Sequence, residues 1–200
     1  MDGLGVLTLV GLFSAFPLLG DEAQVEPRLS IDAYAPLHAD RQLQLTHLDL
    51  SWWRKDTLGG RLTLRLGLGL TRATGSIEQW RDDTPGAAPA LVTLDSPAWG
   101  AGVTASARWQ ARAWGGGVNP GGRLSLDAAA SAMAYDRRFP AGGLHYDGMF
   151  RFGPTIEWDL ADGALAVGAR WMHLSNGRGL TPRNPSYEGQ GMVLAWQWRL

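Results

Sequence analysis

The sequence predicts an all-β fold, an eight-stranded antiparallel transmembrane β-barrel with a polar, filled lumen, and three observations predict it. From residue 28 onward, apolar and polar residues alternate with a period of two, the spacing that sends successive strand side chains to opposite faces. The alternating runs reach or exceed the roughly 9–11 residues that a tilted strand needs to cross a bilayer. The composition agrees, with 27 Gly, 10 Trp and only 18% charged residues, against roughly 25% charged in soluble domains. Aromatic girdles at the two interfaces of a membrane barrel use tryptophan in this way.

The predicted strands cover about 28–36, 43–53, 61–73, 98–112, 123–136, 145–159, 164–175 and 187–200. In the third, Leu62, Leu64, Leu66, Leu68 and Leu70 oppose Thr63, Arg65, Gly67, Gly69 and Thr71. In the fourth, Trp99, Ala101, Val103 and Ala105 oppose Gly100, Gly102, Thr104 and Ser106, with Arg108 further along the polar side. The fifth alternates more weakly, with Asp127 and Ser131 on its polar face. In the sixth, Phe150, Phe152, Ile156 and Trp158 oppose Arg151, Gly153, Thr155 and Glu157.

Such strands fit either a soluble lipocalin-type barrel, apolar inside, or a membrane barrel, apolar outside. The polar faces carry Arg65, Arg108, Asp127, Arg151, Glu157 and Arg170 in mid-strand, interleaved with glycine. The apolar faces mix Leu and Ala with Trp near the strand ends, as an aromatic belt requires, and this favours the membrane barrel. Connection lengths agree. With both termini periplasmic, the external loops are about 37–42, 74–97, 137–144 and 176–186, and the inner turns about 54–60, 113–122 and 160–163. The longest falls outside and the shortest inside. The stretch Trp80–Pro97 reads as a mobile external loop bearing Pro and Asp.

Residues 1–22 read as a signal peptide, leaving 23–200 as the barrel. The apolar run at residues 6–19 has the length of a signal-peptide core and is too short to span a bilayer as a helix. Asp21 and Glu22 follow it, and cleavage is expected near Gly20–Ala23. The first residues, Met-Asp-Gly, carry no Lys or Arg and no A-x-A site precedes the acidic pair, so a buried N-terminal helix is the competing reading. A net charge of -1 gives no sign of a nucleic-acid partner. The chain has no Cys, which excludes thiolate chemistry and disulfides.

Strand parity also picks out a constellation. In the seventh strand, Leu165, Val167, Ala169, Trp171, His173 and Ser175 share the apolar face, and in the eighth Glu188, Gln190, Met192, Leu194, Trp196 and Trp198 do. His173, Ser175 and Glu188 therefore lie on the outer surface, at the external ends of adjacent antiparallel strands. Ser, His and a carboxylate are the parts of an activated nucleophile. Ser175 would attack an ester carbonyl, His173 would take its proton, and Glu188 would orient the imidazole. Asn176 would donate to the developing oxyanion, helped by backbone N–H groups of residues 177–179. The plainer reading is that polar residues at a strand end meet the lipid headgroups. His38, His47 and His145 lack a paired Ser and carboxylate and are read as structural.

The run His173-Leu174-Ser175-Asn176, followed by Pro182, Asn184-Pro185 and Glu188, resembles the H-x-S-N…P-N…E pattern of the PagL-type lipid A 3-O-deacylases of Gram-negative outer membranes. Leu48 to Trp53 and Gly60 to Thr63 are similar to that family's second hairpin. The likeness is dense only over residues 165–200. It implies an eight-stranded outer-membrane barrel that removes the ester-linked 3-O acyl chain of lipid A, without a metal or other cofactor. It implies Ser175, His173 and Glu188 as the triad and Asn176 as the oxyanion donor. The sequence departs from the pattern by a one-residue insertion between Ser175 and Glu188 and by Arg178 where a glycine is expected. Arg178 and Arg183 become candidate contacts for the phosphates of lipopolysaccharide, though exposed loop arginines are commonly just solvated. A phospholipase or other acyl esterase on the same scaffold, or a non-catalytic structural barrel, stands as the alternative.

Overall fold

Among the described residues the two-residue period is realised as nine antiparallel strands in one sheet. The structure is a computed structural model and describes residues 24–81, 88–116, 119–176 and 186–199. The strands are β1 Gln24–Pro36, β2 Arg41–Thr57, β3 Leu62–Arg81, β4 Ala90–Asp95, β5 Ala98–Gly116, β6 Asn119–Phe139, β7 Leu144–Leu160, β8 Gly163–Ser175 and β9 Tyr187–Trp198. The segment 1–22, read above as a signal peptide, lies outside the described residues.

Eight of the nine strands close a ring. Neighbours in sequence pair, β3 pairs with β5, and β1 pairs with β9 from Arg28↔Gln197 to Pro36↔Gly189. Close approach at this seam requires glycine, since a Cβ on Gly191 would lie 1.9 Å from the carbonyl oxygen of Ala33. The ninth strand, β4, pairs only with the outer extension of β3, from Ser76↔Asp95 to Arg81↔Ala90. Much of the expected external loop 74–97 is therefore a β-ribbon. Its short runs, Ile77 to Trp80 and Leu91 to Thr93, are β-prone by side chain but too brief to show a period beside the Pro and Asp that flank them. The inner turn Leu58–Gly60 keeps φ positive at all three residues, which the two glycines allow without steric cost.

The strand faces sort as alternation requires. Leu29, Ile31, Leu50, Val103, Phe150, Phe152, Ile156 and Leu194 are exposed on the outside of the wall. Arg28, Asp32, Asp49, Arg65, Arg151, Glu157 and Arg170 are buried inside it. The inner charges are matched: Arg151 bonds Asp32 at 2.9 Å and Asp49 at 3.1 Å, and Arg28 bonds Glu157 at 3.0 Å. Arg108 grips both oxygens of Asp127 at 2.7 and 2.8 Å and also reaches Glu157, and Arg170 bonds Asp127 at 2.6 Å. An apolar exterior around a paired, charged interior is the polarity of a membrane barrel and the inverse of a soluble one.

The lumen is polar through its middle and its terminal end but not throughout. At the loop end the inward residues are mostly apolar, with Asp147 buried opposite Met133: Tyr34, Leu43, Leu45, Ile77, Met133, Tyr135, Phe139, Met149, Met172, Leu174 and Tyr187 form one buried cluster. This cap closes the mouth of the barrel and backs the strand ends where His173 and Glu188 lie. Tyr187 fixes it further by donating from its hydroxyl to the carbonyl of Leu43 at 2.9 Å.

Candidate functional site on the outer wall

Alternation along β8 sends Met172 and Leu174, both fully buried, into the apolar cap and turns His173 between them outward. In β9, Tyr187 points inward, fully buried, and Glu188 outward. The register then decides what meets. His173 is the direct cross-strand partner of Glu188, and Leu174 of Tyr187. Directly opposed residues have Cβ atoms roughly 4.5–5.5 Å apart, and here His173 Nδ1 stands 3.3 Å from Glu188 Oε1. An ionised carboxylate can only accept, so the facing ring nitrogen carries the proton. In the neutral ring this leaves Nε2 with its lone pair, the tautomer a general base needs.

One further ring lies against the imidazole. The ring of Trp171, two residues back on the same face, stacks on His173 with centroids 6.0 Å apart and planes at 14°. Trp171 in turn lies against Phe152 at 5.1 Å. His173 and Glu188 are each partly exposed, at 29% and 36% of the side chain.

Ser175, the last residue of β8, shares this outward face and pairs with Gly148, which puts no side chain beside it. Its hydroxyl makes no hydrogen bond to His173 among the described residues. Asn176, immediately after it, is 5% exposed and so is buried rather than on the open face. Arg178 and Arg183, and residues 177–179 with their backbone N–H groups, lie outside the described residues. The structure thus brings His173 and Glu188 into contact, puts Ser175 on the same face, and buries Asn176.

One further residue reaches this pair. His38, read above as structural, sits in the turn between β1 and β2, and its Nε2 lies 3.3 Å from the second oxygen of Glu188. The contact is created by ring closure, which pairs Pro36 with Gly189 and lets Leu37 N–H donate to the Glu188 carbonyl at 3.0 Å. No local motif announces a pair 150 residues apart; only the β1–β9 register would have found it. The other two histidines behave as structural residues. His47 is fully buried in the lumen beside Thr71 at 2.7 Å, and His145 lies 3.2 Å from the Tyr135 carbonyl.

A closed wall, apolar outside and charged within, with a His–Glu pair and a serine at its rim, defines a transmembrane β-barrel bearing a polar cluster on its lipid side. No protein-family model and no curated protein sequence matches the chain. Among solved structures it is similar to the outer membrane enzyme PagL, at 16% identity and a TM-score of 0.53, over 84% of this chain and 97% of that one. That likeness establishes a shared fold. Looser matches are Ail, the attachment invasion locus protein of Yersinia pestis (9% identity, TM-score 0.31, 88% and 96% covered), and the β domain of the Bordetella autotransporter BrkA (10%, 0.32, 90% and 100%). Neither superposes well enough to carry an argument.

Proposed function

We propose that this chain is an outer-membrane acyl esterase that hydrolyses the ester-linked 3-O acyl chain of lipid A, with Ser175 as nucleophile, His173 as general base and Glu188 as the group that orients it. The observation that carries this reading is the cross-strand His173–Glu188 contact at 3.3 Å, on the lipid side of the wall and next to Ser175. The H-x-S-N…P-N…E resemblance supplies the substrate class, and the fold shared with an outer membrane enzyme is compatible with it.

In this mechanism Ser175 Oγ attacks the acyl carbonyl while His173 Nε2 takes the hydroxyl proton. Glu188 holds the Nδ1 proton and stabilises the imidazolium that forms. Collapse of the tetrahedral intermediate expels the sugar alkoxide, which takes the proton from the His173 imidazolium to leave as the hydroxyl, and water, deprotonated by His173, then attacks the Ser175 ester and releases the fatty acid. Asn176 is assigned as oxyanion donor, and Arg178 and Arg183 as phosphate contacts. In unliganded sites the nucleophile–base hydrogen bond is often long and closes in the substrate complex, so the absence of a Ser175–His173 bond is compatible with these roles.

The test is fatty-acid release by the purified, folded protein in detergent, with lipopolysaccharide and phospholipid as separate substrates. Release of a 3-hydroxyacyl chain from lipopolysaccharide, lost in Ser175→Ala, is the expected result. Release from phospholipid alone would move the site to a phospholipase, and release from neither would leave a non-catalytic barrel.

A further inference from the structure

We infer that His38 is a positioning residue of this site, holding the Glu188 carboxylate in the plane that presents Oε1 to His173. The inference rests on the esterase reading for its kinetic consequence but on the β1–β2 turn for its geometry.

Glu188 ends in an sp³–sp² torsion, which is broad and roughly two-fold, so one contact through Oε1 leaves the carboxylate free to rock. Its side chain is 36% exposed, so packing does not fix it. A second donor on the other oxygen does. His38 Nε2 and His173 Nδ1 stand at equal distances, 3.3 Å, from Oε2 and Oε1 respectively. Both face an acceptor-only group, and both therefore donate.

The turn that carries His38 is tied to the residue it contacts. Leu37 N–H donates to the Glu188 carbonyl at 3.0 Å, so turn and glutamate share one backbone bond besides the side-chain one. Arg41 N–H donates back to the His38 carbonyl at 3.1 Å, closing the turn. The Arg41 guanidinium donates to the Ser186 carbonyl at 3.2 Å and the Glu78 carbonyl at 2.9 Å, clamping the start of β9 to the extension of β3. An exposed pair of this kind adds little to stability. Its effect therefore falls on orientation, and the fold survives its loss.

The experiment compares His38→Ala and His38→Gln in the full chain, alone and in a Glu188→Ala background. Hydrolysis of lipopolysaccharide is measured together with the imidazole N–H resonance of His173 in nitrogen-labelled protein. Removing His38 is expected to lower kcat on the order of tenfold, the worth of one hydrogen bond to a charged group, with KM unchanged. Gln, which can still donate, restores most of it. In the Glu188→Ala background His38→Ala adds nothing further, because both act through the same carboxylate. The hydrogen-bonded His173 Nδ1–H resonance weakens in His38→Ala. A rise in KM alone, an equal loss with and without Glu188, or an unchanged kcat and resonance would overturn the inference. If the unmodified protein hydrolyses no ester, the esterase reading fails, and the resonance alone decides His38: a shift supports its role and no shift overturns it.

Discussion

At the scale of single residues, parity did most of the work. His173 and Glu188 were assigned to one face by counting in twos, and the register then made them direct partners. His38 was not legible in this way, because its partner lies across the seam where the two ends of the chain meet. The same distinction separates the lumen charges. Arg151 was predicted to face inward, but its pairing with both Asp32 and Asp49 depends on strands more than 100 residues away in sequence. Removing Arg151 leaves two buried carboxylates without their cation, which costs about 3–5 kcal/mol. Arg151→Ala is therefore expected to unfold at markedly lower denaturant in detergent. Adding Asp32→Asn and Asp49→Asn should recover much of the loss. A single variant as stable as the parent would show that the network does not hold the lumen together.

At the scale of elements, the site depends on two strands whose opposite face is anchored. Met172, Leu174 and Tyr187 are fully buried in the apolar cap, so the outward side chains between them ride on a fixed backbone. That cap was not read from the sequence. Near the loop end the polarity inverts, with Leu43 and Leu45 or Met172 and Leu174 facing inward and Gln42, Gln44 and Thr46 or His173 and Ser175 facing outward, so an apolar-outside rule there misassigns the lumen. The β3–β4 ribbon was missed for a related reason, since runs of three or four residues carry no period. Space beside Ser175 is an element-level property that can be tested. A Cβ on Gly148 would meet Phe150 and the Ser175 carbonyl at 3.5 and 3.6 Å, ordinary contact distances. Gly148→Phe is thus expected to fold normally, keeping its heat-modifiable migration in gels. With a ring filling the room next to Ser175, the proposed nucleophile, kcat/KM should drop on the order of tenfold or more. Full activity in this variant would mean that substrate does not approach Ser175 from the β7 side.

At the scale of the whole molecule, the decisive feature is the inversion of polarity across one wall. It was legible because eight long strands repeat the same two-residue pattern, and the sum over the barrel is unambiguous where any one strand is not. Leu194 is 50% exposed on the outer face in the middle of β9. An arginine at the bilayer midplane of a barrel costs about 2–4 kcal/mol, so Leu194→Arg is expected to lower the unfolding free energy in lipid vesicles by that amount. A change near zero would place this surface outside the hydrocarbon.

The same polarity brings His173, Ser175 and Glu188 to the lipid side of the loop end. The central claim, that this cluster deacylates lipid A, is tested most directly in cells. Lipid A extracted from a Gram-negative host expressing the parent chain or Ser175→Ala, both confirmed folded in the outer membrane, is compared by mass spectrometry. Loss of one 3-hydroxyacyl chain with the parent, and intact lipid A with Ser175→Ala, is the predicted result. Identical lipid A from both, at equal levels of folded protein, would contradict it.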